Sequence, residues 1–149
     1  MTAVVQRVTG AAVTVEGAIV GRIESGIVAL VAVERADTEK DAAWMANKLV
    51  SLRIFRNADK HFDLDIRQAG GSMLLVSNFT VSANTAEGRR PSFDAAAPPD
   101  AARPLFERLI DAVRATGVEV QIGTFGADMR VQSINDGPAT FIVKVPHPQ

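Results

Sequence analysis

Apolar residues recur at strand spacing through the first third of the chain. There "AVVQRVTGAAVTVEGAIVGRIESGIVALVAVE" is rich in Val and Ile and is punctuated by Gly10, Gly17, Gly21 and Gly26, a pattern that predicts a meander of short strands. Within it "GIVALVAVE", Gly26 to Glu34, is apolar at nearly every position. Such a run predicts a strand buried on both faces, at the centre of the sheet. The period then changes. Thr38 offers a helix N-cap, Asp41 follows three residues on, and Met45, Ala46, Leu49 and Val50 come at helical spacing, which predicts a first helix. Trp44 fits the same helix as a residue at the edge of the core.

"LRIFRN" resumes a strand, "ADKHFDLDIRQAGG" reads as a turn and a short irregular strand ending in paired glycines, and "SMLLVSNFTVSA" is a second buried strand. A loop rich in Gly, Pro and Ala, "NTAEGRRPSFDAAAPPDAARP", leads to a second helix with Leu105, Leu109, Ile110 and Val113 on one face and Gly117 suited to its C-cap. Pro104 and Asp100 compete as markers of that helix's start. Two more strand-like runs, "MRVQSIND" and "ATFIVKV", flank the turn-like "GP". Strands, helix, strands, helix, strands predict a mixed α+β domain, a β-rich or barrel-like core covered by two main helices.

Composition narrows the picture. At 149 residues one core suffices, so residues 1–145 are expected to form a single domain with 146–149 as a flexible tail. Hydrophobic residues are 47% and charged residues 22%, and no run approaches the roughly 18 apolar residues of a membrane span. The N-terminal pattern carries Arg7 and has no apolar signal core, so a cytoplasmic protein is expected, with no membrane partner. Without cysteine there is no disulfide, thiolate or Cys-based zinc site. With only His61 and His147 as imidazoles, neither a metal site nor a Ser-His-Asp triad is expected. His147, between prolines in the tail, reads as solvated. A net charge of −1 gives no global attraction for nucleic acid, so any RNA contact is local and no DNA partner is expected.

Two short stretches carry candidate chemistry. "SNFT", Ser77 to Thr80, sets polar residues around one aromatic at the end of a buried strand, and "NDGPAT" places Gly137-Pro138 between two strand-like runs. Each has a plain alternative, a strand end whose hydroxyls satisfy the backbone and an ordinary turn. Asp63 and Asp65 in "FDLD" alternate as on one solvent-facing side of a strand. Arg89 and Arg90 beside "PSF" are candidates for a phosphate.

Taken together, "QRVTGAAVTVEG", "RIF…AGGSMLLVS", "SNFT", "GRRPSF" and "FGADMRVQSINDGPATF" resemble the D-aminoacyl-tRNA deacylase family, in its order and spacing, from about Val4 to Val145. The resemblance implies a homodimeric editing hydrolase without metal or organic cofactor, with active sites at the subunit interface. It would cleave the ester joining a D-amino acid, or mischarged glycine, to the 3′ end of tRNA. The family's Ser-Gln-Phe-Thr motif falls on Ser77, Asn78, Phe79 and Thr80, and its Gly-cisPro motif on Gly137 and Pro138. Asn78 replaces the usual Gln and shortens the amide by one methylene; Val81 and Ala139 replace the usual Leu and Val.

The resemblance further implies that backbone carbonyls around Gly137-Pro138 form a wall in the partner's pocket, excluding an L side chain while glycine passes. Arg7 would hold that loop, and Met129 would lie near the terminal adenine. An aminoacyl ester is already activated, and its vicinal 2′-hydroxyl can assist water, so Phe79 and Thr80 backbone N–H groups need only steady the oxyanion. Two other readings stay open: Thr80 as the covalent nucleophile of an esterase, and a non-catalytic dimeric RNA-binding module.

Overall fold

The computed structural model describes residues 1–147. Strand β1 spans Thr2–Val15, β2 Ala18–Ile23 and β3 Gly26–Ala32. The predicted meander is therefore simpler than its glycines suggested, because Gly10 does not end β1. It lies where the β1 register slips between Val8 and Gly10, so the extra length is absorbed as a bulge that bends the strand. β2 and β3 occupy successive halves of one edge of β1, with Ala11 opposite Ile23 and Val8 opposite Gly26.

Helix α1 is Glu39–Ser51, followed by β4 (Phe55–Asn57), β5 (Lys60–Leu64), a short α2 (Ile66–Ala69) and β6 (Ser72–Ser77). α1 starts at the expected cap: the Asp41 carboxylate accepts the Thr38 N–H at 2.7 Å and its hydroxyl at 2.8 Å, and Glu39 and Asp41 complement the helix dipole. Asp63 and Asp65 do not share a strand face. Asp63 belongs to β5 and pairs with Arg53 at 2.6 Å, whereas Asp65 caps α2 by accepting the Gln68 N–H at 3.0 Å. The local capping pattern Asp-x-x-Gln overrode the strand alternation. The Gln68 backbone N–H, aided by Arg67, holds the Asp65 carboxyl below the usual carboxylate range.

β6 is shorter than expected, since Phe79–Ser82 forms a 3-10 turn with Asn78 as its cap. Helix α3 begins earlier than either marker suggested and spans Pro99–Arg114. Pro99 supplies the first helical residue at no hydrogen-bond cost. Pro104 lies inside the helix on its exposed side, where water can satisfy the freed carbonyl one turn earlier. β7 (Val120–Ile122), not expected from the pattern, precedes β8, Arg130–Lys144. The two final strand-like runs are thus one strand, and "DGPA" is an interruption in its pairing with β1, not a turn that reverses the chain. The register moves from Val8 opposite Asn135 to Gln6 opposite Thr140.

The sheet runs β2-β1-β3-β6-β7, with β8 on the other edge of β1. It curls until its ends meet: a Cβ on Gly21 of β2 would lie 2.6 Å from the Ile122 carbonyl oxygen of β7. Closure explains the doubly apolar β3 and β6. Ile27, Ala29, Val31, Met73 and Leu75 face α1 and α3 in one core, while Val28, Leu74 and Val76 join Val8, Val13 and Ile23 in a second, inside the curl. Burying each Val, Leu, Ile or Met among them contributes about 1.5–3 kcal/mol. Trp44 packs at the edge of the first core, as expected.

At the C-terminal end, His147 is not merely solvated: its Nε2 lies 3.2 Å from Asp37 Oδ1, on the carboxylate that also pairs with the Met1 ammonium. Residues 148–149 of the expected tail lie outside the described residues. No helix among the described residues is long and apolar enough to cross a membrane.

The β3–β6 pairing starts where Gly26 faces Ser72, and a Cβ on Gly26 would sit 1.8 Å from the Ser72 carbonyl oxygen. Gly26→Ala therefore has to push the two central strands apart, and is expected to cost about 3 kcal/mol or more. Urea denaturation measures this as a lowered midpoint with an unchanged slope.

Candidate active site

β6 delivers Ser77 to the end of the sheet, and the Asn78 N–H donates to Val31 O at 2.8 Å, the last rung to β3 before the chain turns. The Asn78 amide oxygen then accepts both the Thr80 N–H, at 3.2 Å, and the Thr80 hydroxyl. One short side chain thereby closes the 3-10 turn in the manner of an Asx turn. The Phe79 N–H, in contrast, has no protein acceptor among the described residues. The Thr80 hydroxyl meets a carboxamide, which is no base.

Beside this turn is a cavity of about 410 Å³ whose lining includes Ser77, Asn78, Phe79, Phe93, Ala102 and Phe125. No lining residue is ionisable. Phe79 and Phe93 meet edge to face, 5.3 Å between ring centroids, and both remain substantially exposed, at 57% and 40%. The wall carrying Phe93 is stitched to the end of β3: the Ala97 N–H donates to Val33 O at 2.9 Å and the Arg35 N–H to Ala95 O at 3.0 Å. Phe93 and Phe125 were not singled out as site residues from the sequence. A signal was available, since the chain has only seven Phe, one Trp and no Tyr, and these two fall in glycine- and proline-rich loops; Phe125, however, also packs against the first core.

Gly137-Pro138 lies elsewhere. The bond is cis, both residues are exposed, and neither lines the cavity of Phe79. Arg7, buried at 2% exposure, underpins this loop. Its Nε donates to Asp136 O at 2.9 Å and lies 3.2 Å from the Asp136 carboxylate, while Nη1 donates to Ile54 O at 2.7 Å and His61 O at 3.1 Å. Phe62 covers the guanidinium, 5.4 Å from its ring centroid. From the other side the Asn135 amide donates to Arg7 O and Ala139 O, both at 3.0 Å. His61 contacts Arg56 at 2.9 Å, so it belongs to this region and not to the Ser77–Thr80 cavity. Arg56 in turn reaches Asp136 at 3.3 Å.

Met129 packs against the second core, beside Gly123 and Val13, and borders a different depression with Thr14 and Gly17. Arg89 and Arg90 sit exposed in a loop closed by Asn84 and Ser92, whose backbone groups bond at 2.8 and 2.9 Å. Asp37, Asp41 and His147 approach within 4.8 Å, the only such ligand group among the described residues. Their oxygens are already taken, however: Asp37 by the Met1 ammonium and the Glu34 N–H, Asp41 by Thr38. The cluster acts as a cap and a tie for the chain ends.

These features can be set beside known proteins. The family model described as D-Tyr-tRNA(Tyr) deacylase matches residues 4–144. A D-aminoacyl-tRNA deacylase of Pelobacter propionicus is 52% identical over 144 residues, covering 97% of this chain and 99% of that one. Another, of Geobacter sulfurreducens, is 51% identical over 143 residues, covering 96% and 94%. Among solved structures, one titled c-Myc DNA Unwinding Element Binding Protein superposes with a TM-score of 0.93 at 34% identity, covering 99% of this chain and 100% of that one. A probable eukaryotic D-amino acid tRNA deacylase shares the fold, with a TM-score of 0.83 at 18% identity over 97% and 100% of the two chains. With the family model spanning nearly its whole length and relatives at half identity, the chain belongs to the D-aminoacyl-tRNA deacylases, hydrolases of the ester between a D-amino acid and tRNA.

Proposed function

We propose that the Phe79 cavity receives the 3′-terminal aminoacyl-adenosine of tRNA, and that the terminal 2′-hydroxyl, not a protein nucleophile, assists the attacking water. The observation that carries this reading is the Asn78 clamp. It ties up both the hydroxyl and the N–H of Thr80, so the free Phe79 N–H is the donor that remains at the turn for a developing oxyanion. An attacking Thr80 would need a base to take its proton, and neither His61 nor any carboxylate lines the cavity. Ser77, at the end of β6, positions the ester.

Selection for D-aminoacyl esters is assigned to the Gly137-Pro138 loop of a second copy of the chain. Two facts support that division. Within one chain the loop is exposed and lines no part of the cavity, and exposed apolar side chains, Ile19, Val20, Val131, Ile134 and Ile142, lie on β2 and β8, as a covered face requires. Backbone carbonyls presented by that loop would exclude an L side chain and leave glycine unopposed. No metal or organic cofactor enters this scheme.

With D-tyrosyl-tRNA and L-tyrosyl-tRNA as parallel substrates, only the D ester should be lost. Thr80→Ala should retain substantial deacylation, whereas a 2′-deoxy terminal adenosine should abolish it. Full activity on the 2′-deoxy substrate, or none in Thr80→Ala, would establish the covalent esterase instead.

Arg7→Lys tests the loop. An ammonium cannot reproduce the fork that reaches Asp136, Ile54 and His61 together, so about 2 kcal/mol of stability should be lost through the carbonyls left unpaired. The ratio of D to L hydrolysis should fall, read from initial rates at a temperature where the variant is folded. An unchanged ratio alongside lowered stability would remove Arg7 from stereoselection.

A further inference from the structure

Nothing that lines the Phe79 cavity carries a charge, yet a terminal nucleotide arrives attached to a phosphodiester. That group must remain at the cavity's mouth, where a cation can meet it. Arg103, in α3, is the cation that adjoins the lining: its guanidinium carbon lies 4.8 Å from the ring centroid of Phe125, one of the lining residues. Phe125 itself packs against the buried Phe106, with ring centroids 6.1 Å apart. The guanidinium is therefore stacked on a fixed surface and gives up little side-chain freedom when it binds.

Its donors are also uncommitted. Among the described residues, Arg103 makes no salt bridge, although Asp100 and Glu107 lie one turn away on the same helix. Asp100 instead accepts the Ala101 N–H at 3.1 Å, and α3's ion pair to α1 uses Arg108 and Glu39, 3.6 Å apart. Other arginines near this end are placed differently. Arg35 donates to Asp94 O at 2.7 Å, and Arg89 and Arg90, exposed in their loop, stack on no aromatic ring of the cavity among the described residues.

We propose that Arg103 is a substrate-positioning residue that binds the phosphodiester on the 5′ side of the terminal nucleoside, so that a free aminoacyl-nucleoside and tRNA are told apart at the cavity's mouth. The assignment rests on the deacylase reading above. It adds a residue that neither Ser77–Thr80 nor the Gly137-Pro138 loop supplies. Its stacked, planar fork suits bidentate contact with phosphate oxygens.

The test uses the intact protein and three D-tyrosyl esters: on tRNA, on adenosine 5′-monophosphate, and on adenosine without phosphate. Arg103→Ala should raise KM for the tRNA ester about tenfold or more, as loss of a charged hydrogen bond does, and leave kcat unchanged. The 5′-monophosphate ester should show a loss in the same direction. The phosphate-free ester should be hydrolysed equally by both proteins. The dependence of log kcat/KM on log salt for the tRNA ester should become shallower by about 0.7, one single-strand phosphate contact. Arg103→Lys, keeping the charge without the stacked fork, should recover most of the salt slope and part of the KM. An equal loss on the phosphate-free ester would overturn the proposal, since Arg103 would then act by shaping Phe125; so would an unchanged salt slope. If the unmodified protein cleaves none of the three esters, the deacylase reading itself fails, whatever Arg103 does.

Discussion

A guanidinium removed from water must find acceptors for its donors, and Arg7 finds them on three separate segments. Its neighbours at Ile54, His61 and Asp136 belong to the stretch before β4, to β5 and to the interruption in β8. Arg7 itself stands on β1, the strand that pairs with β8 along one edge and with β2 and β3 along the other. A single buried charge thus joins the spine of the sheet to the small β4–β5 hairpin and fixes where the Gly137-Pro138 loop emerges. Burying it is tolerable because carbonyls, a carboxylate and an aromatic face replace its hydration. The loop is rigid for the same reason: Asn135 closes it from inside while Arg7 holds it from below.

The second organising fact is the curl of the sheet. Because β2 returns to β7 at Gly21 and Ile122, β3 and β6 are enclosed on both faces and end at a common rim. Val31 near the end of β3 and Val33 just beyond it, Ser77 at the end of β6 and the start of α3 converge there to build the cavity. The turn after β6 is set by a side chain and not by the sheet. Asn78 caps it with a short amide, which suits the two-residue span to Thr80. Chemistry that relies on a backbone donor needs such stiffness more than it needs a base.

Where residues speak locally, the chain was legible. The Thr38 cap, the doubly apolar β3 and the helical faces of α1 and α3 follow from pattern alone, because capping, burial period and amphipathicity act within a few residues of one another. Errors arose where a local cue had two meanings. Gly10 served a bulge instead of a strand end, and "GP" an interruption in pairing instead of a reversal. Asp65 joined a capping pattern that outweighed the alternation of "FDLD". Of the candidate site, Ser77, Asn78, Phe79 and Thr80 were visible as a motif, whereas Phe93, Phe125 and Arg103 were not. Phe93 and Phe125 reach the cavity from two separate loops and Arg103 meets Phe125 from α3, and no spacing in the sequence encodes that meeting.

The sequence led to the expectation of one core, and the curl of the sheet made two. By itself, then, it determined the class of the fold, the apolar faces of its helices and central strands, the family, and the two motifs. These depend on composition and short-range order, which every stretch of chain carries with it. Only the tertiary structure decided that Asn78 occupies Thr80, that Arg7 reaches Asp136 across 129 positions, and that Arg103 stacks on Phe125, which lines a cavity with no ionisable residue in its wall. Those depend on how far a sheet curls and where its ends meet, a sum over many weak packing contacts that no single segment specifies.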